Sequence, residues 1–386
     1  MADLVKLVVE GFKSIVRADL EVKPLTILIG PPDTGKSNLL EALGLLSFIA
    51  YGGSVEDYFR YPSLSAVFSL IPGSPMYVRV VVGGFAEITL EQRPDLRGVR
   101  VTANCTVNGQ KAFIVDYGFD GTLRAWPGLH AEAILPAVAA LLNIRFYRFH
   151  AFKSHLGYTR GPSGFALRML TEASPEVYRE LPTTILLPPR GSNLPWLIVK
   201  NPEVKRFVQA ILEDHGYHGI ATIKVPRPQG PLVEVPHSVL GEATYIPLDL
   251  LSDGLQIYIA VSLALTQRLP EALEERMGWM PTVIILEEPE IHLYPYKLVD
   301  LARLVASAIR ERENTYVVLS THNMHMVATL LSKTPRERIA VYYTQRTSET
   351  GETIFKRLDN AMLEELLSEG PGALPLIEEI LSTTKP

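Results

Sequence analysis

Hydrophobic and polar positions fall into successive regimes along the chain. Val5 to Glu10 and Val16 to Val22 read as two short strands, and the apolar run Leu25 to Ile29 ends on Gly30. A glycine loop follows. From Asn38 to Ala50 apolar residues then recur at helical spacing. The stretch Tyr77 to Val115 breaks into short β-rich segments, Tyr77 to Val82, Ala86 to Gln92, Val99 to Val107 and Ala112 to Val115, with Asn108-Gly109 as a hairpin turn. These predict an antiparallel sheet. Between Ala131 and Asp214 the pattern is mostly helical, most clearly over Pro202 to Glu213, with a Pro/Gly-rich interruption from Leu187 to Pro195. After Pro247 a helix (Leu255 to Gln267), a strand (Val283 to Leu286), a helix (Tyr296 to Glu311) and a strand (Tyr316 to Leu319) alternate. Such alternation predicts a parallel sheet covered by helices. The tail predicts a hairpin over Ile339 to Leu358 around Ser348 to Gly351, then a short helix from Ala361 to Leu367.

The expected organisation is therefore α/β with an antiparallel β subdomain and a helical insertion. Its stretches are 1–150, 151–245 for the insertion, and 246–386. At 386 residues and 47% hydrophobic content the chain has ample material for a core. A formal net charge of −5 gives no global positive field for nucleic acid, so any DNA contact would need a local basic patch. The single cysteine, Cys105, excludes an internal disulfide framework and a Cys-rich zinc site and fits a reducing compartment, so the expected location is cytoplasmic. The start MADLVKLVVEGFKS lacks the layout of a signal peptide, and runs such as Ile134 to Leu142 fall short of the ~20 residues a spanning helix needs. No membrane partner is expected. Repeats and sustained heptads are absent.

The glycine loop carries the first chemistry. Gly30-Pro31-Pro32-Asp33-Thr34-Gly35-Lys36-Ser37 has the P-loop (Walker A) spacing of glycine, four residues, glycine, lysine and serine. Backbone N–H groups and the helix N-terminus, which opens with Asn38, surround phosphates; Lys36 neutralises the β/γ charge and the Ser37 hydroxyl ligates Mg²⁺. A buried strand before the loop and an amphipathic helix after it are the context this motif requires. The expected ligands are ATP and Mg²⁺.

Further along, Val283-Ile284-Ile285-Leu286 delivers Glu287 and Glu288 at a strand end, a Walker B arrangement. Glu287 would hold Mg²⁺ and Glu288 would polarise the attacking water. Paired acids alone fit a solvated loop better; it is the P-loop that changes their reading. Ser252-Asp253-Gly254-Leu255-Gln256 opens an apolar helix with a hydroxyl, free N–H groups and a positive dipole end, an anion-binding terminus. Locally an ordinary N-cap fits equally well. His322, in Ser320-Thr321-His322-Asn323 after a buried strand, is placed to contact a γ-phosphate. His325 brings no carboxylate or cysteine that would make a metal pair.

Walker A, a long insertion, SDGLQ, EEPE and STHN in this order resemble the ABC-type ATPase heads of the SMC/RecF/OLD superfamily, and more narrowly its stand-alone AAA-ATPase-like members. Gly11-Phe12-Lys13-Ser14-Ile15 is similar to their F-basic-S start, Glu288-Pro289-Glu290-Ile291-His292-Leu293-Tyr294-Pro295 to their EPExHLHP stretch, and Leu187-Pro188-Pro189-Arg190-Gly191-Ser192-Asn193-Leu194 to a further segment of theirs. The resemblance implies a P-loop NTPase of ABC-ATPase type that closes into an ATP-dependent homodimer. Ser252 and Gly254 would then reach the γ-phosphate in trans, while Lys36, Ser37, Glu287, Glu288 and His322 act in cis and Lys13 touches the nucleotide. Gly30, Pro31, Asp33, Thr34 and Gly35 complete the implied nucleotide site.

The sequence departs from the family pattern at several points. Pro32 and Asp33 stand where relatives carry an asparagine and a small residue, Glu287 replaces an aspartate, and Tyr294 replaces a histidine. Gln92 and His150 are the candidates for a Q-loop residue that senses the metal. Two outcomes are expected: an ATPase in DNA transactions or genome defence, or an ATP-clamped regulatory subunit of a separately encoded effector such as a nuclease or toxin. An ABC transporter ATPase is disfavoured by EEPE and the F-basic-S start. For DNA, the clusters Arg145, Arg148 and Lys153, and Lys200, Lys205 and Arg206, read more readily as solvated faces.

Overall fold

A computed structural model of the chain describes residues 5–61, 63–92, 98–104, 113–118, 123–127, 138–149, 164–217, 221–227, 230–239, 242–277 and 281–369. Strands β1 (Val5–Phe12), β2 (Ile15–Val22) and β3 (Leu25–Ile29) precede the helix Lys36–Tyr51, so strand, loop and helix stand as the glycine motif requires. β4 (Tyr77–Val82) and β5 (Ala86–Gln92) have the predicted bounds; β6 (Gly98–Asn104), β7 (Phe113–Gly118) and β8 (Leu123–Pro127) follow. The Asn108-Gly109 turn lies outside the described residues. These strands make a seven-stranded antiparallel sheet in the order β2-β1-β4-β5-β6-β7-β8.

The second sheet places the chemistry. With β9 (Ile144–Arg148), β13 (Thr282–Glu287), β14 (Thr315–Ser320), β15 (Ile339–Arg346) and β16 (Thr353–Arg357), its order is β16-β15-β3-β14-β13-β9. β15, β3, β14, β13 and β9 run parallel, and β16 closes the edge antiparallel to β15. The strand that feeds the P-loop is thus a neighbour of the strand that leads to His322, with the Glu287 strand next beyond. All three release their loops at the same, C-terminal edge, where open α/β sheets bind ligands.

Residues alternate between two layers, as the two-residue strand period dictates. Val283, Ile285, Tyr316 and Val318 pack with the helix Lys36–Tyr51 and with Leu7, Val9, Val78 and Val80 of the antiparallel sheet. Ile284, Leu286, Val317 and Leu319 pack on the other face against the helices Asp253–Thr266, Pro295–Glu311 and Met324–Lys333. Glu21 joins the two sheets: Tyr342 Oη donates to Glu21 O at 3.0 Å, Glu21 N donates to Tyr342 Oη at 3.0 Å, and Arg357 Nη1 pairs with the Glu21 carboxylate.

Two features correct the helical expectation for the middle of the chain. β9 lies in the stretch read as mostly helical. Its short apolar run follows another apolar run, and periodicity alone does not separate a buried strand from a buried helix. Gly44 lets the P-loop helix approach it, since a Cβ there would lie 3.2 Å from the Phe146 ring. The helices Phe165–Ala173, Pro175–Thr184, Leu194–Lys200 and Pro202–Asp214 are present as expected, but a three-stranded antiparallel sheet follows them, β10 (Ala221–Arg227), β11 (Gly230–Val239) and β12 (Glu242–Pro247). Among the described residues no helix is long and apolar enough to cross a membrane.

Candidate functional site

The loop between β3 and its helix is built on strained backbone. Gly30 has φ 138°, and a Cβ there would meet Thr344 O at 2.4 Å; Gly35 has φ 102°, and a Cβ would meet Thr353 Oγ1 at 2.1 Å. Both positions need glycine for sterics and for backbone conformation together. Non-glycine residues with positive φ, Lys13 (50°), Asp33 (59°), Glu288 (42°) and His292 (62°), all sit on sequence-predicted motifs. Strain of this kind gathers where the surrounding structure over-determines a site.

A chain of hydrogen bonds fixes the loop from outside. Asn38 Nδ2 donates to Ser14 Oγ (2.6 Å), Ser14 Oγ is 2.6 Å from Thr353 Oγ1, and Thr353 Oγ1 donates to Thr34 O (3.0 Å). The amide of Asn38, expected among the nucleotide contacts, is thereby engaged with Ser14. Lys36 is 4% exposed and folds back onto the loop, donating to Gly30 O (2.9 Å) and Pro31 O (2.6 Å). Burial lowers its pKa to about 8, against the nearby carboxylates Glu288 and Asp33, which raise it, while Arg60 lowers it further.

Beyond the loop opens a cavity of about 220 Å³, lined by residues 32–38 with Arg60, Glu288, His322 and Arg346. Of the predicted residues it brings together Asp33, Thr34, Gly35, Lys36, Ser37, Asn38, Glu288 and His322. His322 Nε2 lies 3.2 Å from Glu288 Oε1, and Glu288 N donates to Ser320 O (3.1 Å). Ser252 and Gly254 do not line it. The Ser252 side chain makes no capping bond to its own helix, and a Cβ on Gly254 would meet His292 O at 2.4 Å, so the helix start packs on the turn after Glu288.

Behind Ser37 lies a charge cluster that the motifs did not announce. Glu41, wholly buried on the P-loop helix, takes an ion pair from Lys13 and a second from Arg148 Nη2 at 2.7 Å. Arg148 Nε is paired with Glu287 Oε2. Burial opposes the Arg148 charge, but Glu287 and Glu41 together raise its pKa. Arg60 Nη2 donates to Ser37 Oγ (2.7 Å) and lies 3.6 Å from Glu287 Oε1, so a guanidinium bridges the two side chains expected to hold Mg²⁺. Burial lowers the Lys13 pKa although Glu41 raises it, and its ammonium lies over the Phe12 and Tyr61 rings, 5.7 and 5.4 Å from their centroids. Lys13 therefore faces Glu41 and does not line the cavity.

The cluster corrects the reading of Arg145 and Arg148 as a solvated or DNA-facing pair. Arg145 is 1% exposed and donates to Gln267 O (3.2 Å), and Arg148 serves the two carboxylates. Lys153 and His150 lie outside the described residues. Gln92 is exposed at the end of β5 in the antiparallel sheet, and the strand end beside Glu287 carries Arg148 instead. The Leu187–Leu194 segment supports this strand end: Arg148 N donates to Pro189 O (3.0 Å), and Asn193 Oδ1 accepts from Leu187 N (2.7 Å).

The donor set fits ATP·Mg²⁺. A hydroxyl and a carboxylate suit a hard divalent ion. Among the described residues no group of three His, Cys, Asp or Glu gathers for a metal, so such an ion would take its other ligands from phosphate and water. Lys36, Arg60 and Arg346 supply positive charge for a polyphosphate. Arg60, Arg346, Glu41 and Thr353 were not legible as site residues, because none belongs to a motif and tertiary contacts alone deliver them.

A family model described as "AAA domain, putative AbiEii toxin, Type IV TA system" matches residues 171–328, a span that starts after the P-loop and holds Ser252, Gly254, Glu287, Glu288 and His322. No curated protein matches the chain. Among solved structures it is similar to an SMC head bound to the C-winged helix domain of ScpA, at 16% identity and TM-score 0.47 over 92% of this chain and 98% of that one. It is similar to the SMC head with an extended coiled coil bound to the C-terminal domain of ScpA, derived from Pyrococcus furiosus, at 14% identity and TM-score 0.47 over 98% and 99%. It is also similar to the recombination mediator RecF with ATP, at 14% identity and TM-score 0.43 over 92% and 99%. Its own strand order and loop geometry make the chain an α/β protein of the P-loop type.

Two predictions follow from the electrostatics. With a pKa of about 8 in the nucleotide-free chain and a higher one beside phosphate, Lys36 is charged in both states below pH 8. Affinity for a fluorescent ATP analogue should fall as pH rises through about 8 and beyond, by up to ~10-fold per pH unit. Lys36→Arg should remove the fall, and a wild-type affinity unchanged through pH 10 contradicts the assignment. Arg148→Leu leaves Glu41 and Glu287 short of a buried partner and should cost about 3–5 kcal/mol in urea unfolding. Arg148→Lys should recover only part of it, since one ammonium does not bridge two carboxylates as a guanidinium does; a loss under about 1 kcal/mol would show the cluster to be dispensable.

Proposed function

We propose that the chain binds ATP·Mg²⁺ on the Gly30–Ser37 loop, hydrolyses it slowly, and closes into an ATP-sandwiched homodimer. The observation that carries this reading is that Glu288 and His322, 3.2 Å apart, line the same cavity as Lys36 and Ser37. Ser37 and Glu287 would hold Mg²⁺, which when bound neutralises β- and γ-phosphate charge. Lys36 leaves its loop carbonyls to meet the phosphates. Glu288 takes the proton of the attacking water, and His322 donates to the γ-phosphate. Ser252 and Gly254 of a second copy complete the site. The trans role follows the motif order; Ser252 leaves its own helix uncapped and so has a free hydroxyl for a partner's nucleotide.

A regulatory clamp is the second reading, and Arg60 favours it. A guanidinium between Ser37 and Glu287 competes with a divalent ion for the same oxygens, and Pro32 removes a backbone donor from the loop. A displaced Mg²⁺ would slow hydrolysis. The matched family's description names a toxin and a type IV toxin–antitoxin system, which supports a role in genome defence. A role in DNA repair or chromosome maintenance rests on the resemblance alone.

Glu288→Gln should keep ATP affinity within about twofold, lower turnover by ~100-fold or more, and accumulate an ATP-dependent dimer in light scattering. Wild-type turnover in this variant removes Glu288 from the role of base, and a wild-type dimer as long-lived as the variant's favours the clamp. Ser252→Arg should abolish the dimer while monomer affinity for ATP stays within about twofold; an unaffected dimer overturns the role in trans.

A further inference from the structure

Glu290 has no part in the chemistry assigned above, yet it is wired to it. The residue sits in the turn after Glu288, where Ile291 N donates to Glu288 O (3.1 Å) and Leu293 N to Glu290 O (3.0 Å). Its side chain crosses to the end of β14. There Oε1 accepts from Thr321 Oγ1 and from the backbone N–H of His322 at 3.2 Å. Thr321 is wholly buried, and its Oγ1 accepts in turn from Asn323 N (2.9 Å), so one carboxyl organises three consecutive residues. Glu290 Oε2 is buried without a partner, and the carboxyl contacts no cation among the described residues.

This is an unusual way to spend a buried acid. A carboxyl group held by a hydroxyl and backbone amides gains no Coulombic return for its desolvation, and burial, with Glu288 nearby, raises its pKa. What the arrangement does secure is geometry. The His322 ring reaches Glu288 at 3.2 Å, and the two residues lie on different loops, one after β13 and one after β14. Glu288 N to Ser320 O ties these loops on one side, and Glu290 ties them on the other.

We propose that Glu290 is the positioning residue of the site: by holding Thr321 and the His322 backbone, it sets the imidazole against Glu288 and the terminal phosphate. The proposal rests on the reading of Glu288 and His322 as the reacting pair. The function of Glu290 is that of an acceptor, not of a charge, so a neutral amide carbonyl serves as well.

The test compares steady-state ATP hydrolysis and binding of a fluorescent ATP analogue in Glu290→Gln, Glu290→Leu and Thr321→Val, beside His322→Ala. Glu290→Gln should retain kcat within about twofold. Glu290→Leu and Thr321→Val should each lose ~10- to 100-fold in kcat, the scale of a misplaced reacting group, with KM and ATP affinity within about twofold. Should Glu290→Leu not fold, Thr321→Val carries the same comparison at an isosteric position. Wild-type kcat in Thr321→Val, or a loss in Glu290→Gln equal to that in Glu290→Leu, overturns the proposal, and so does a loss of ATP binding in step with kcat. If His322→Ala itself keeps wild-type turnover, the failure lies with the assignment of the reacting pair.

Discussion

The arrangement of the site depends on one buried carboxylate, Glu41. It lies on the second turn of the P-loop helix, has no exposure to water, and receives Lys13 from the turn between β1 and β2 and Arg148 from the end of β9. Through Arg148 it is joined to Glu287 on β13. Four elements far apart in sequence are thereby brought to one point. Desolvating an ion costs several kcal/mol, so each member is tolerated only while its partners are in place. Apolar packing can hold a helix on a sheet in several neighbouring registers, whereas this cluster accepts few. The same cluster brings Ser37 and Glu287 within reach of one nitrogen of Arg60, Nη2.

Legibility in the sequence follows from how local each feature is. The P-loop, its strand and its helix are set by neighbours in the chain, and the structure places them as the pattern of apolar residues predicts. Glu288 and His322 are further apart, but each ends a run of apolar residues, and a parallel sheet puts the ends of adjacent strands side by side. Arg60 and Arg346 had no such marker. The sequence FRYP around Arg60 has no periodicity or spacing of its own, and only the approach of the 55–60 segment to the P-loop helix gives it a role. Thr353 is a stronger case, because the hydroxyl that closes the loop at Thr34 comes from 319 positions further along the chain. β9 was obscured for a different reason: a short buried strand lacks the alternation that identifies an exposed one.

The cations around the P-loop set the cost of binding. Lys36 is satisfied by two loop carbonyls and Arg60 by a hydroxyl, with a carboxylate close by, so a polyphosphate must exchange existing contacts for new ones. Net gain comes from replacing neutral acceptors by charged phosphate oxygens, since charge-assisted hydrogen bonds are the stronger kind. Asp33 and Glu288 work against that gain, as each adds negative charge beside the loop. The balance suits a site that holds nucleotide through several moderate contacts.

The turn from Glu288 to Leu293 joins two surfaces with different tasks in the proposed dimer. On one side it meets the start of the helix Asp253–Thr266, where Gly254 leaves no room for a side chain against His292 O. On the other, Glu290 holds the backbone of His322. In that dimer the helix start grips the nucleotide of the partner, while His322 faces the nucleotide of its own chain. A shift of the helix start on closure would press on the backbone of a short, hydrogen-bonded turn with a positive φ at each of Glu288 and His292. Such a turn has little freedom to absorb the movement internally, and it is joined to the end of β14 both by Glu288 N to Ser320 O and by Glu290.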